Sequence, residues 1–313
     1  MTARGFALIV LAAACVPMLG LAAQQPGGPP PAPLVRENAT VKVSDRVYVI
    51  PDNSAPAVPN VGIIVGNTAT MVIDTGLGPR NGEAILREVA KVSRNTQLYL
   101  VTTHFHPEHA AGSSAFPASA KFVIPNEQQK DLDELAGAIT QTFASRTPAM
   151  GELLKDVTYR RADVLFEREQ TIDLGGLRVK LLWLGPMHTR GDTLIFVEGD
   201  AVLFAGDVVN HRAFLAFSQY SSGKTWLSTL DQLDALHAKI VVPAHGAMGT
   251  GASIVEQRDV LKAVDARVKE LKTQGKSADE AAQLVVAEVP MKFPGWNGAN
   301  RLGAAARTFY GEN

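Results

Sequence analysis

The stretch His104-Phe105-His106-Pro107-Glu108-His109 decides how the rest of this chain is read. Three imidazoles and a carboxylate fall within six residues, although the whole chain of 313 residues holds only seven histidines. Packing alone does not explain such a concentration. Neutral imidazole nitrogen together with carboxylate oxygen is a donor set for a divalent transition metal such as zinc, iron or manganese. In an extended segment, residues two apart point to the same side, so His104 and His106 can grip one ion. Glu108 and His109 follow a proline and are expected to open a short helix, which turns them toward a second ion.

Working outward, apolar strand candidates repeatedly run into a polar residue able to bind or orient a metal. Met71-Val72-Ile73 leads to Asp74, and Leu98 to Val101 leads through Thr102-Thr103 to His104. Leu181 to Leu184 leads through Gly185-Pro186-Met187 to His188, the run from Ala201 leads to Asp207, and the run from Ile240 leads to His245. Strands entering from one side would bring these groups to a common rim, with rigid elements holding the ligands and loops completing a pocket. This reading assigns one ion to His104, His106, His188 and Asp207, and the other to Glu108, His109, His245 and Asp207.

Period-two and helical patterns predict strands at 41–50, 61–65, 70–73, 97–101, 121–124, 170–173, 178–184, 193–197, 201–205 and 239–242. Helices are predicted at 82–92, 126–135 with a loose continuation to 154, 225–236, 254–274, 278–286 and 301–309. Ser277 with Glu280 three residues on reads as a capping box. Two halves, roughly 41–155 and 163–275, each begin with strands and proceed to helices, an order that suggests two sheets packed face to face with helices outside.

The termini carry separate signals. Arg4, an apolar run from Phe6 to Leu21 and small residues near Ala23 read as a secretory signal peptide over 1–23, and hence as a periplasmic or secreted protein. A retained N-terminal anchor and a lipoprotein cysteine at Cys15 are the competing readings. A Pro/Gly-rich linker spans 24–40, the catalytic domain 41–275 and a C-terminal helical extension 276–313. Removing 1–23 deletes Arg4 and no acid, so a formal charge of −1 becomes −2. A near-neutral surface offers no footprint for nucleic acid, and no later segment is apolar for long enough to span a membrane. Cys15 is the single cysteine, so the mature chain has neither disulfide nor thiolate ligand. The expected partner is a small-molecule substrate; oligomeric state has no signal.

These residues resemble the metallo-β-lactamase superfamily. The resemblance rests on Asp74-Thr75-Gly76, the cluster at 104–109, Gly185-Pro186-Met187-His188-Thr189 with Gly191-Asp192, Phe204-Ala205-Gly206-Asp207, and Pro243-Ala244-His245-Gly246, in the family's order. It implies an α/β (α+β) fold, the four-layer αββα sandwich, a site for two divalent ions, chiefly zinc with iron or manganese as options, and Asp74 orienting a ligand from behind it. The chain departs from the pattern at one point: HXHXEH stands where HXHXDH is usual, so Glu108 replaces an aspartate. It either ligates with a shifted backbone, weakens the second site, or selects another metal. The family's β-lactamases mostly carry Cys or Ser where this chain has Asp207, whereas glyoxalase II-like and lactonase-like hydrolases share the aspartate.

The implied chemistry is hydrolysis of an ester, thioester, lactone or amide by a metal-bound hydroxide, with Glu108 and Asp207 as the catalytic carboxylates. Competing expectations are a β-lactamase, an iron-dependent redox enzyme acting on oxygen or sulfur, and a non-catalytic metal-binding module. Substrate contacts are expected from the loop 52–60 and from the segment 211–226, where His211, Arg212, Lys224 and Trp226 are the candidates. Trp296, Asn297 and Arg301 either close over the pocket or cap a neighbouring apolar face.

Overall fold

Alternation along the strands dictates two sheets with both faces covered. In a computed structural model that describes residues 32–313, Ile63 and Ile64, Leu181 and Leu182, and Leu203 and Phe204 are all buried, yet each pair splits between different cores. A strand sends successive side chains to opposite faces, so two apolar faces require layers on both sides.

The first sheet has seven strands in sequence order: β1 (Val41–Lys42), β2 (Val47–Ile50), β3 (Val61–Val65), β4 (Ala69–Ile73), β5 (Gln97–Val101), β6 (Lys121–Pro125) and β7 (Val164–Phe166). Strands β1 to β4 pair antiparallel; β4 to β7 pair parallel, linked by crossovers that include α1 (Pro79–Val92) and α3 (Asn126–Ala144). Between β5 and β6 lies the one-turn α2 (Pro107–Ala110), and α4 (Pro148–Leu153) follows α3.

The second sheet runs in the order β12 (Ile240–Pro243), β11 (Val202–Gly206), β10 (Leu194–Val197), β9 (Arg178–Leu182), β8 (Glu169–Asp173). Here α5 (Gly223–Asp234) crosses between the parallel pair β11 and β12, and α6 (Ala252–Thr273), α7 (Ala278–Glu288) and α8 (Leu302–Glu312) complete the chain.

Three apolar layers follow. Val47, Met71 and Val101 of the first sheet meet Leu181, Ile195 and Phe204 of the second. Val72, Leu100 and Phe122 face the helices α1 and α3 on the outer side. Leu194, Leu203 and Val241 pack against Trp226, Val264, Ala282 and Phe309 of the other helical layer. The architecture is therefore the four-layer αββα sandwich. Gly62 lets the sheets approach, since a Cβ there would lie 2.5 Å from the Phe204 ring.

Differences from the sequence reading are local. The single strand expected over 41–50 is two, because residues 43–46 turn back and Val43 N donates to Val47 O. Strand β7 went unread; Val164 and Leu165 are 39% and 44% exposed, so an edge strand of three residues leaves no alternation to detect. The expected signal peptide 1–23 and the first part of the linker, to Pro31, lie outside the described residues. Within the linker's remainder, Val35 is buried with its N–H on Asn81 Oδ1, and Asn38 N donates to Glu88 of α1. The helices of 276–313 supply Ala281, Val285, Ala306 and Phe309 to the same core as α5 and α6. Among the described residues no helix is long and apolar enough to cross a membrane.

Candidate metal centre

The strand ends deliver their polar residues to one place. Past β5, Thr103 and His104 leave the sheet; His106, with φ −59° and ψ 149°, is the last extended residue before Pro107 begins α2. Proline suits that first helical position because its missing N–H would be unpaired there anyway. The His106 carbonyl accepts from His109 N and Ala110 N, so Glu108 and His109 are wound back over the strand end. At the end of β11, Gly206 adopts φ +54°, and a Cβ there would lie 2.9 Å from Thr103 Cβ. That close approach puts Asp207 beside the 104–109 turn.

Three groups of ligand-type atoms converge, each with its atoms within 4.8 Å of one another: His104, His106 and His188; His104, His109 and Asp207; and Glu108, His109 and His245. All seven candidate ligands are thus brought together. His106 Nδ1 lies 3.0 Å from His104 Nε2 and 3.3 Å from His188 Nε2. Asp207 Oδ2 is 3.5 Å from His188 Nε2 and 3.9 Å from His104 Nε2, between the first group and the third.

The outer ring nitrogens explain how the imidazoles are aimed. His109 Nδ1 donates to Asp74 Oδ2 at 2.8 Å, His188 Nδ1 to Ala216 O at 2.8 Å, and His245 Nδ1 to Val58 O at 2.9 Å. His104 Nδ1 faces Thr103 Oγ1 at 3.3 Å, whose hydroxyl donates to Asp74 Oδ2. Donation from Nδ1 sets the tautomer and leaves the Nε2 lone pair directed inward, whereas His106 alone presents Nδ1. Asp74 sits at φ +67°, a conformation an aspartate tolerates at modest cost, and it is held there by Thr103 N at 2.7 Å. Behind His245, Asn60 Nδ2 bonds the carbonyls of Pro243 and Gly246, and Asp52 Oδ2 accepts from Gly246 N.

Electrostatics prepare the same atoms. Burial, then the neighbouring imidazoles, push His104 and His106 well below the usual histidine range, so both are neutral. Burial raises the Glu108 carboxyl. Burial would also lower His109, but the Asp74 carboxylate overrides it and lifts the ring to about 9. Asp207 is pushed up by burial and pulled down further by His188, His245 and His109, ending at about 2.

Two buried atoms test whether a cation fits. Glu108 Oε2 and His109 Nε2 have no hydrogen-bond partner, and both belong to the third group. An unpaired buried polar atom costs about 1–3 kcal/mol, and imidazoles with carboxylates and no thiolate are the donor set of a divalent cation. The residues fit.

The centre forms the floor of a cleft of about 840 Å³. Of the expected substrate contacts, His211 and Arg212 line it, as do Asp52 and Ser54 to Ala57 of the 52–60 loop. Lys224 and Trp226 do not. Trp226 is fully buried in the helical core, its Nε1 donating to Val208 O at 2.9 Å, and Lys224 points along the surface to the Glu312 carbonyl. Both sit on α5, where helical periodicity turns them away from the loop that precedes it. Sequence reasoning missed Phe143, near the end of α3, and Arg146, in the turn after it, both of which line the cleft. Nothing in the sequence marked them, since an isolated arginine just past a helix end carries no functional signal.

Stacked sheets whose strand ends deliver a cluster of imidazoles and carboxylates define a class of metal-site α/β sandwich. The sequence profile of the metallo-beta-lactamase superfamily matches residues 55–245, and the chain belongs to that superfamily. A linear primary-alkylsulfatase from Pseudomonas sp. (strain ATCC 19151) is 22% identical over 69% of the chain, which spans 47% of that relative's length. An acyl-coenzyme A thioesterase of Homo sapiens is 25% identical over 59% of this chain and 72% of its own. Among solved structures, an inverting sec-alkylsulfatase from Pseudomonas sp. superposes with a TM-score of 0.68 at 16% identity, covering 88% of this chain and 50% of that one. A metallo-beta-lactamase from Pontibacter korlensis gives 0.59 at 19% identity, covering 71% and 98%. At these identities the structural likeness concerns the fold.

Proposed function

We propose that the chain is an exported hydrolase that uses two divalent metal ions, zinc foremost, to cleave an ester, thioester, lactone or amide. The observation that carries the reading is the convergence of seven imidazole and carboxylate side chains, five of which line the floor of one open cleft while His104 and His109 are buried directly behind them. In this reading His104, His106 and His188 hold one ion, Glu108, His109 and His245 the other, and Asp207 stands between them. When bound, the ions supply an acidified water and polarise the electrophile.

The chain's own residues do the rest. Asp74 fixes His109 through its Nδ1–H, and the Val58 and Ala216 carbonyls fix His245 and His188, so that the ligand geometry is preorganised. Asp207, ionised under the influence of the surrounding imidazoles, and Glu108 would accept hydrogen bonds from the attacking water and so orient it. Asn210, Asp52 and the 55–57 turn border the substrate from the rim. Residues 1–23 direct export, which recovery of a shortened chain from the periplasm would test.

Sulfate esters are the second substrate class. The reading is supported by the linear primary-alkylsulfatase that is 22% identical over 69% of this chain. Elemental analysis of purified protein, followed by panels of carboxylic esters, thioesters, lactones, β-lactams and alkyl sulfates with the matching metal, decides the matter. Tightly bound iron with no hydrolysis on any panel would replace this reading with the redox one.

A further inference from the structure

The cleft carries positive charge that no carboxylate pairs with. Arg146, Arg212 and Arg301 line it, from the turn after α3, the segment after Asp207, and the C-terminal tail. Eight of the other thirteen described arginines reach a carboxylate within 3.2 Å, whereas these three, which are the arginines of the cleft lining, pair with none among the described residues. The remaining acid of the rim, Asp52, is closed off by backbone donors from Ser54 at 3.0 Å and Gly246 at 2.7 Å.

The guanidinium groups of Arg146 and Arg301 and the backbone of Arg212 are positioned rather than loose. Arg146 stacks its guanidinium 3.6 Å from the centre of the Phe143 ring, which itself lies 6.2 Å from the His106 ring. Arg301 Nη1 donates to Phe214 O at 3.2 Å. Arg212 holds φ +51°, a left-handed conformation that costs a non-glycine residue roughly 1–2 kcal/mol. The tail holds it there: Asn297 N donates to Arg212 O at 3.1 Å, and Phe214 N donates to Asn297 O at 2.9 Å. Trp296 anchors this tail segment by packing on Phe214 and Phe293. The family profile ends at residue 245, so Asn297 and Arg301 border the cleft from outside the matched segment.

We propose that Arg146, Arg212 and Arg301 form a receptor for an oxyanionic group, phosphate or carboxylate, that the substrate carries away from its scissile bond. The fork of a guanidinium matches such a group bidentately, and desolvation against Phe143 strengthens the attraction. Pro56, Ala57 and Ile139 line the same cleft, so the substrate is amphiphilic, with an apolar portion beside its charge. The location of the scissile bond rests on the proposed function.

The test is calorimetric binding of adenosine 3′,5′-bisphosphate and, separately, glutarate to the metal-loaded full chain. Arg146→Ala, Arg212→Ala and Arg301→Gln are each expected to weaken at least one probe about tenfold or more, while Lys224→Ala, outside the cleft, stays within about twofold. Which probe responds identifies the anion. The Arg146 side chain makes no hydrogen bond among the described residues, so its variant reports binding even where Arg301→Gln disturbs the tail. With phenyl hydrogen glutarate against its neutral methyl ester, the kcat/KM ratio should fall about tenfold in the same variants. Probe binding that ignores all three arginines overturns the receptor. Arginine-dependent binding without hydrolysis of any panel compound upholds it and removes the proposed function instead.

Discussion

His109 and Asp74 meet at 2.8 Å in the fully buried interior, imidazole Nδ1 to carboxylate Oδ2, and they form the one bond at the centre that joins a ligand-type residue to an acid behind it. The pair sets the charge of His109. In the metal-free protein its ring titrates at about 9, above its ordinary value. The ion pair therefore stabilises the fold fully below about 6.5 and loses that contribution as pH rises through about 9. Asp74→Asn should flatten this alkaline loss in thermal unfolding curves of metal-free protein. A cation at Nε2 must displace a proton, so affinity should also weaken as pH falls below 9. In loaded protein, Asp74→Asn should lower metal affinity roughly 10–100-fold, read by competition with a chelator.

The two halves of the centre should separate on substitution. His188→Ala removes an imidazole from the first group and His245→Ala from the third. Each should cost about one equivalent of metal by elemental analysis, with turnover down at least about a hundredfold and circular dichroism unchanged. Asp207→Ala should impair both sites together. Full stoichiometry in all three variants would remove the assignment.

Glu108 is expected to be an adapted ligand rather than a decayed one. Its Oε2 is buried without a partner in the third group, so the longer side chain already reaches the shared space. Shortening it in Glu108→Asp withdraws the oxygen by about a bond length, and occupancy of that site should fall about tenfold in metal titrations. A gain in occupancy and turnover would mark the natural residue as a lesion.

Trp226, expected from the sequence at the cleft, is a core residue. Trp226→Ala should destabilise the protein by about 3–5 kcal/mol in urea unfolding, with further loss from the abandoned Val208 carbonyl. Metal stoichiometry should stay at the wild-type value. A mild stability effect with abolished substrate binding would place Trp226 at the cleft instead.

Much of this centre was legible because its determinants are local. His104 and His106 share a face through the period of an extended chain, Pro107 starts the helix that redirects Glu108 and His109, and apolar runs ending at Asp74, His188, Asp207 and His245 mark strand ends. Edge strand β7 was not legible, because three residues, two of them exposed, carry no period. Nor was Arg146, since nothing near it in the chain distinguishes a cleft-facing arginine from a solvated one.

The amino-acid order by itself determined the layered fold and the identity of the residues able to hold metal, since both follow from periodicity and spacing over a few positions. Tertiary structure decided which ring nitrogens face inward, that Trp226 turns to the core, and that Arg301 of the tail borders a cleft whose floor includes Glu108. Those outcomes depend on contacts between distant segments, such as Asn297 with Arg212 or Asn60 with Pro243. Which partner each polar group finds is settled only when packing has chosen which surfaces meet.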